Sequence, residues 1–195
     1  SGVESRRDSD VARTRSSGLL AGLIAVVGVP AWWGVDLALV PEHAATFGAI
    51  RLGSDVLMLA ALWVLWRHPL GRLRPEPFVF AIVGIAQLEI AYMVPRVGAD
   101  LELYLLGFSL ALYGSGSLIV WHPRWTAGLI ALTWGALGLS VLTVAGGMPG
   151  GDVLASVFYL STASAIGILG QLHRLATTQR EYAALDELER EQQRT

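Results

Sequence analysis

The sequence predicts an all-α membrane protein: a polytopic bundle of six transmembrane helices whose last helix continues out of the membrane into water. Three observations predict it. Hydrophobic residues make up 53% of the chain and charged residues only 15%, whereas soluble domains carry about 25% charged residues. Six segments are apolar over roughly the 20 residues that a bilayer crossing needs. The last of them runs into a polar stretch without a proline or another stop signal.

The six predicted spans cover residues 17–40, 45–66, 77–95, 101–121, 126–147 and 153–173. Residues 1–16, before the first span, are polar and Arg-rich with no apolar core, so we expect a disordered cytoplasmic tail. Residues 17–173 are predicted to form a six-helix transmembrane domain. Residues 174–195 are predicted to form a cytoplasmic exit helix, which we expect to lead into a further C-terminal domain.

Arginine sets the predicted orientation, because positive residues concentrate in cytoplasmic connections. The N-terminal tail, the connection after the second span and the C-terminal end are rich in Arg. The connections after the first and fifth spans hold no Arg and carry Glu42 and Asp152. We therefore expect a multi-pass membrane protein with both termini in the cytoplasm.

A short motif is repeated where two spans end. The letters WRHP occur at residues 66–69 and WHP at residues 121–123. An interfacial Trp followed by a helix-stopping Pro is typical of a span end. The sixth span reaches His173 and Arg174 without a Pro, and its helix is predicted to continue.

Composition excludes several kinds of chemistry. The chain has no Cys, and all 14 of its basic residues are Arg, so disulfides, thiolate ligands and lysine Schiff bases are excluded. His68, His122 and His173 fall at one predicted membrane face and could bind a metal, although His at a helix C terminus is also favourable with the helix dipole. No His pair faces another within the spans, as a transmembrane haem would need. We expect no metal and no cofactor.

Polar residues inside the spans are the candidates for a ligand site, because charge in hydrocarbon is costly and is usually functional. Arg51 and Asp55 are four residues apart on one helix, so they share a face and can pair. Together with Glu89 they are the deepest of the charged candidates. The full candidate set is Trp33, Asp36, Arg51, Asp55, Glu89, Tyr92, Tyr104 and Tyr113.

Two interpretations of this set stay open. In the first, the residues form a salt-bridge and hydrogen-bond network that fixes helix packing, as partnered buried charges often do. In the second, they line a ligand cavity that has aromatic walls and a few polar anchors. Small residues such as Gly114, Gly116, Gly167 and Gly170 favour close helix packing in lipid and indicate no chemistry.

The last stretch predicts one continuous helix. Residues 153–195 contain no Pro, and 43 residues of helix would be about 65 Å long. The a/d spacing of a coiled coil is kept by Leu175, Thr178, Tyr182 and Leu185. We expect this helix to transmit the signal and to form a parallel homodimer. A solvated amphipathic helix is the alternative, because two heptads are a short pattern.

These features resemble the N-terminal membrane sensor domains of bacterial signalling proteins. The resemblance is carried by six short-looped spans, the Arg that opens the second span, Trp-His-Pro at span ends, and a last span that runs into LDELEREQQRT. It is a resemblance to the six-helix MASE-type and quorum-receptor-type modules that precede histidine kinases, diguanylate cyclases and class III adenylyl cyclases. It implies a sensor with an enzymatic C-terminal output. The sequence itself contains no GGDEF, phosphoacceptor His box or other catalytic motif of such an output.

The resemblance and the exit helix together predict a receptor module. A small lipophilic or amphiphilic ligand, or a change in the membrane lipid, would shift the bundle between two packings, and the sixth helix would pass the shift on. The alternative is a small transporter or channel that uses the intramembrane carboxylates. An intramembrane enzyme and a ligand-free dimerising anchor are further alternatives. No catalytic residue is assigned, and no nucleic-acid partner is expected.

Overall fold

A computed structural model describes residues 2–144 and 147–192. Over these residues the chain is helical and forms no strand. The α-helices are α1 (Gly2–Ala31), α2 (Trp33–Leu39), α3 (Pro41–Arg67), α4 (Pro69–Leu73), α5 (Glu76–Met93), α6 (Leu101–Leu118), α7 (Pro123–Leu142) and α8 (Gly150–Gln192). Two short 3-10 turns, Val94–Arg96 and Gly98–Asp100, join α5 to α6. The all-α fold is confirmed.

Five helical segments are long and apolar enough to cross a membrane. They are Asp8–Leu39, Pro41–Arg67, Glu76–Arg96, Pro123–Leu142 and Gly150–Glu181. These segments correspond to five of the six predicted spans. The remaining predicted span is the fourth, residues 101–121, and it corresponds to α6. This helix has 18 residues and ends at Leu118 rather than at Trp121. It packs chiefly against α8.

The first predicted span is broken into two helices. Pro30 lacks a backbone N–H and cannot make its bond to the preceding turn, and α1 ends one residue later, at Ala31. The chain restarts as α2 at Trp33. This short second helix carries Asp36, whose side chain is 0% exposed. The break therefore supplies the bundle interior with a carboxylate.

The N-terminal tail differs from the prediction of disorder, because residues 2–16 form the first half of α1. Thr14 is buried, and its hydroxyl donates to the carbonyl of Val120. Arg15 donates from Nε to the Leu65 carbonyl at 3.0 Å and from Nη2 to the Trp66 carbonyl at 2.8 Å. These carbonyls lie in the open last turn of α3, where helix geometry leaves them without a partner. Arg15 thus holds α1 against the end of α3.

The repeated Trp-His-Pro motif begins a new helix at both of its positions. His68 and His122 are extended N-cap residues of α4 and α7. Nδ1 of His68 accepts from the Leu70 N–H at 3.3 Å, and Nδ1 of His122 accepts from the Arg124 N–H at 3.2 Å. The following Pro occupies the first helical position, where an N–H is not needed. In the described residues, no group of three His, Asp or Glu side chains could hold a metal ion.

Helices α6 and α8 cross at small residues. Gly116 and Gly167 are both buried, and a Cβ added to Gly116 would lie 2.7 Å from the Cα of Gly167. Only a side chain as small as that of Gly allows backbones to approach this closely in a membrane bundle. Helix α8 then continues without a break to Gln192, over 43 residues. The predicted continuous exit helix is confirmed as far as the structure describes it, although it begins at Gly150 rather than at Val153.

Candidate functional site

The centre of the candidate site is the side chain of Arg51 on α3, which is 3% exposed. Its Nε donates to Oδ2 of Asp36 at 2.6 Å, and its Nη2 donates to Oδ1 of the same carboxylate at 3.0 Å. This two-point geometry is the strongest form of a guanidinium–carboxylate pair. Its Nη1 donates to Oε1 of Glu89 on α5 at 2.6 Å. One guanidinium thus binds carboxylates from two other helices.

Tyr104 brings a fourth helix, α6, to this centre. Its hydroxyl donates to Oδ1 of Asp36 at 2.5 Å, and its ring packs edge-on against Phe47, with 6.3 Å between the ring centroids. We term Asp36, Arg51, Glu89 and Tyr104 the charge cluster. The cluster sets two carboxylates against one guanidinium, and it joins α2, α3, α5 and α6.

The predicted pair between Arg51 and Asp55 is absent from the structure. All three nitrogen atoms of the Arg51 guanidinium donate to Asp36 or Glu89. Asp55 is half-buried one turn further along α3, and its Oδ1 is buried with no hydrogen-bond partner in the described part of the chain. A spacing of four on one helix favours an ion pair. Here, two neighbouring helices supply carboxylates that take the guanidinium instead.

The other predicted site residues make their contacts outside the charge cluster. Trp33 donates from Nε1 to the Ala44 carbonyl at 2.9 Å. The ring of Tyr92 lies against the guanidinium of Arg96, whose Cζ is 3.8 Å from the ring centroid. Tyr113 is half-buried against the hydrophobic core. A role of these residues in ligand binding stays a prediction.

A cavity of about 320 Å³ lies beside the charge cluster, between α1, α5 and α6. Ligand pockets in proteins typically measure about 300–1,000 Å³. Trp32, Arg51 and Tyr104 form its polar end, and Leu118 and Ile119 form its opposite, apolar end. We term this cavity the α1–α6 groove. A cavity was one of the two interpretations of the polar residues, and among the lining residues Arg51 and Tyr104 belong to the predicted set. Most of the other lining residues are apolar and ordinary for a membrane span, so the sequence does not single them out.

Two rows of small residues form the facing walls of the α1–α6 groove. The rows are Ala21, Ala25 and Gly28 on α1, and Gly107, Ala111 and Gly114 on α6. Both rows are spaced by four and then by three residues, which keeps each on one helix face. A Cβ added to Gly28 or to Gly114 would have no atom within 4 Å. The two faces therefore stand apart, and Gly114 is not the close-packing residue that the sequence suggested.

The apolar end of the groove adjoins the connection between α6 and α7, residues 118–122, which we term the 118–122 connection. Val120 contacts α1 twice, because its carbonyl accepts from the Thr14 hydroxyl and its N–H donates to Ser17 Oγ at 3.2 Å. From α8, Gln171 Nε2 donates to the Trp121 carbonyl at 2.7 Å, and Arg174 Nη1 donates to the Leu118 carbonyl at 3.0 Å. One connection thus links the groove, the first helix and the exit helix.

This arrangement shows that the two interpretations of the polar residues are compatible. Asp36 and Glu89 act in a salt-bridge network that joins helices. Arg51 and Tyr104 belong to that network and also line the groove. The site therefore combines a largely apolar groove with a charged and hydrogen-bonding side-chain cluster at one end.

The family model MASE8 matches residues 34–189 of the chain. No curated protein and no solved structure matches it. The matched region begins in α2, includes all four residues of the charge cluster, and follows α8 well beyond His173. MASE8 is a family of membrane-associated sensor domains. The chain therefore belongs to the MASE8 family of membrane-associated sensor domains.

Proposed function

We propose that the chain is the membrane sensor module of a bacterial signal-transduction protein, either a histidine kinase or a nucleotide cyclase. The observation that carries this proposal is α8. A helix of 43 residues is about 65 Å long, whereas the hydrocarbon core of a bilayer is about 30 Å thick. Roughly half of α8 must lie outside the membrane, and the family match continues along it to residue 189. A helix of this form suits the transfer of a signal to a C-terminal output domain.

The contacts of α8 support a transmitting role. The glycine crossing with α6 joins the two backbones within the bundle. Gln171 and Arg174 then bind the 118–122 connection where α8 leaves the bundle. Further along, Arg13 of α1 pairs with Glu181 of α8 at 3.3 Å. A movement of α1 or α6 would therefore reach α8 through several polar contacts.

In this proposal the bundle has two packings, and a stimulus shifts the balance between them. A ligand does so only if it binds one packing better than the other. The α1–α6 groove supplies such a difference, because its occupancy depends on how far α1 lies from α6. The sixth predicted span, α8, then moves as a unit and alters the output domain, in the manner of discrete helix shifts.

Topology and assembly follow from the sequence arguments. The distribution of Arg supports an inner-membrane protein with both termini in the cytoplasm. The a/d pattern that begins with Leu175 and Thr178 supports a homodimer through the exit helix, and both side chains are half-buried within the single chain. Tyr182 and Leu185 continue the pattern, and their side chains lie outside those that the structure describes.

The transporter alternative has no comparable support. A proton or substrate relay uses carboxylates that can exchange partners. Asp36 and Glu89 are each held by Arg51 at 2.6 Å. Asp55 lies outside this network, and its buried Oδ1 has no hydrogen-bond partner in the described part of the chain, so a relay would have to rest on that carboxylate. A transporter also gives no role to the part of α8 that must leave the membrane.

The proposal is tested by changing the phase of α8 after Arg174 in the full-length protein. One inserted residue rotates everything downstream by about 100°, and seven inserted residues restore the phase to within about 20°. We expect the single insertion to change the output activity strongly and the seven-residue insertion to return it toward the parent value. Melting curves of the membrane domain should be alike in all three proteins. Equal output activity from all three proteins would contradict signal transfer through a continuous α8 helix.

A further inference from the structure

We infer that the α1–α6 groove binds one acyl chain of a single-chain lipid whose head group is uncharged and hydrogen-bonding, with the head group at Arg51 and Tyr104. This inference rests on the proposed sensor function and names the chemical class of its ligand. It follows from three properties of the groove: its length, its side opening and the charge balance at its polar end.

The length of the groove matches one acyl chain. Tyr104 and Leu118 line its two ends on α6, and the intervening helix measures roughly 21 Å at about 1.5 Å per residue. One leaflet of the hydrocarbon core is about 15 Å deep. A single lipid-length chain can therefore extend along the groove, and the volume of about 320 Å³ is at the small end of ligand pockets. A two-chain lipid would have to leave one chain outside.

The groove opens sideways toward the bilayer. Ile24 of α1 and Leu110 and Leu118 of α6 line it, and each of these side chains is more than half exposed. In a membrane-spanning bundle, exposed aliphatic side chains contact lipid tails. A molecule already dissolved in the bilayer can enter between α1 and α6 without crossing water.

The polar end selects the head group by charge. Arg51 has five N–H donors, of which three bind Asp36 and Glu89. In the described part of the chain the other two N–H groups have no hydrogen-bond partner, and the side chain that carries them lines the groove. An anionic head group would add a third negative charge beside one guanidinium, and a cationic head group would meet that guanidinium directly. A hydroxyl or carbonyl oxygen accepts from the free N–H groups and adds no charge.

The experiment uses a photoreactive long-chain alcohol, hexadecanol with a diazirine near its methyl end, added to the chain in phospholipid nanodiscs. We expect crosslinks at the apolar end of the groove, near Leu118 and Ile119. Unlabelled hexadecanol should compete at least about tenfold better than hexadecanoate or hexadecane. Tyr104→Phe should reduce the advantage of the alcohol over the alkane, because the phenol is lost while the ring remains.

Paired glycine variants provide the control. Gly114→Leu places a side chain into the open space of the groove, whereas Gly138→Leu on α7 places the same side chain into open space elsewhere. Crosslinking should fall about tenfold in the first variant and stay unchanged in the second. Gly28→Leu on the opposite wall should repeat the effect of Gly114→Leu. Equal labelling of all variants, preference for the carboxylate, or displacement by the nanodisc phospholipid would overturn the inference.

The result is separable from the test of the sensor function. If the phase of α8 governs output but the alcohol does not bind, the sensor function stands and the ligand class is wrong. If the alcohol binds in the groove but the insertions leave output unchanged, the groove is a lipid site and the sensor function is wrong.

Discussion

At the residue level, Arg51 has a buried guanidinium group whose charge is paired with carboxylates from other helices. Asp36 from α2 and Glu89 from α5 each bind it at 2.6 Å, and Tyr104 from α6 supports Asp36. The attraction between these groups is set against the cost of removing all of them from water. Such a buried ion-pair network favours one packing of the helices, because the charged side chains of α2, α3 and α5 must lie at the same depth in the bundle to meet.

Replacement of Arg51 is predicted to be strongly destabilising. Arg51→Met leaves two carboxylates buried without their cation, and loss of one partner from a buried pair typically costs about 3–5 kcal/mol. The matched control is Arg124→Met, because the Arg124 side chain is 68% exposed and its pair with Glu76 is 3.4 Å long. Exposed pairs contribute about 0–1 kcal/mol. The free energy of unfolding of both variants can be measured by titration with SDS in mixed micelles, and equal losses would contradict the assigned role of Arg51.

The members of the charge cluster could be predicted from the sequence, but their partners could not. Asp36, Arg51 and Glu89 are conspicuous because charged residues are rare inside spans. The pairing of Arg51 with Asp55 was the best prediction from spacing along one helix. The actual pairing depends on where α2 and α5 place their side chains, and a single sequence does not contain that arrangement.

At the level of elements, the crossing of α6 and α8 depends on a contact between two glycines. The backbone of Gly167 occupies the place where a Cβ of residue 116 would lie. Two residues earlier on the same helix, Gly114 faces the open groove. The same residue type on one helix therefore serves close packing at one position and leaves open space at the other.

This contrast predicts opposite effects for two identical substitutions. Gly116→Ala should push α6 away from α8 at an overpacking cost of about 1–3 kcal/mol. Gly114→Ala should be neutral or stabilising by up to about 1 kcal/mol, because alanine favours helix and meets no neighbour. Unfolding of the two variants in mixed micelles measures the difference. A Gly116→Ala variant as stable as Gly114→Ala would refute the close crossing.

Most helices could be predicted from the sequence because apolar length and Pro position determine them locally. The exit helix was predicted as continuous, and the structure has it so over Gly150–Gln192. Two features escaped prediction. Within the predicted tail, Thr14 and Arg15 contact distant segments whose positions the sequence does not give. The break after Pro30 creates a separate short helix, whereas the sequence pattern predicted one span over residues 17–40.

At the level of the whole molecule, the α1–α6 groove, the 118–122 connection and α8 form a connected path. Ile119 lines the groove and belongs to the connection. The connection is bound from one side by α1 and from the other by α8. In the proposed mechanism, these consecutive contacts are the route by which a change in the spacing of α1 and α6 would reach α8.

The groove could not be predicted from the sequence. Rows of small residues on two helices usually indicate that the helices pack closely. Here the same rows face each other across open space, which depends on how α5 and α8 hold α1 and α6 apart. The architecture of a membrane sensor was predictable, but the location of its cavity required the positions of all the helices together.

The most direct test of the central claim is the output activity of the full-length protein with the groove filled. Gly114→Leu should mimic an occupant and change the basal output by about 5–150-fold, the range that corresponds to coupling energies of about 1–3 kcal/mol. Gly138→Leu, which carries the same side chain outside the groove, should leave the output at the parent level. Identical output from Gly114→Leu, Gly138→Leu and the parent would contradict a path from the groove to α8.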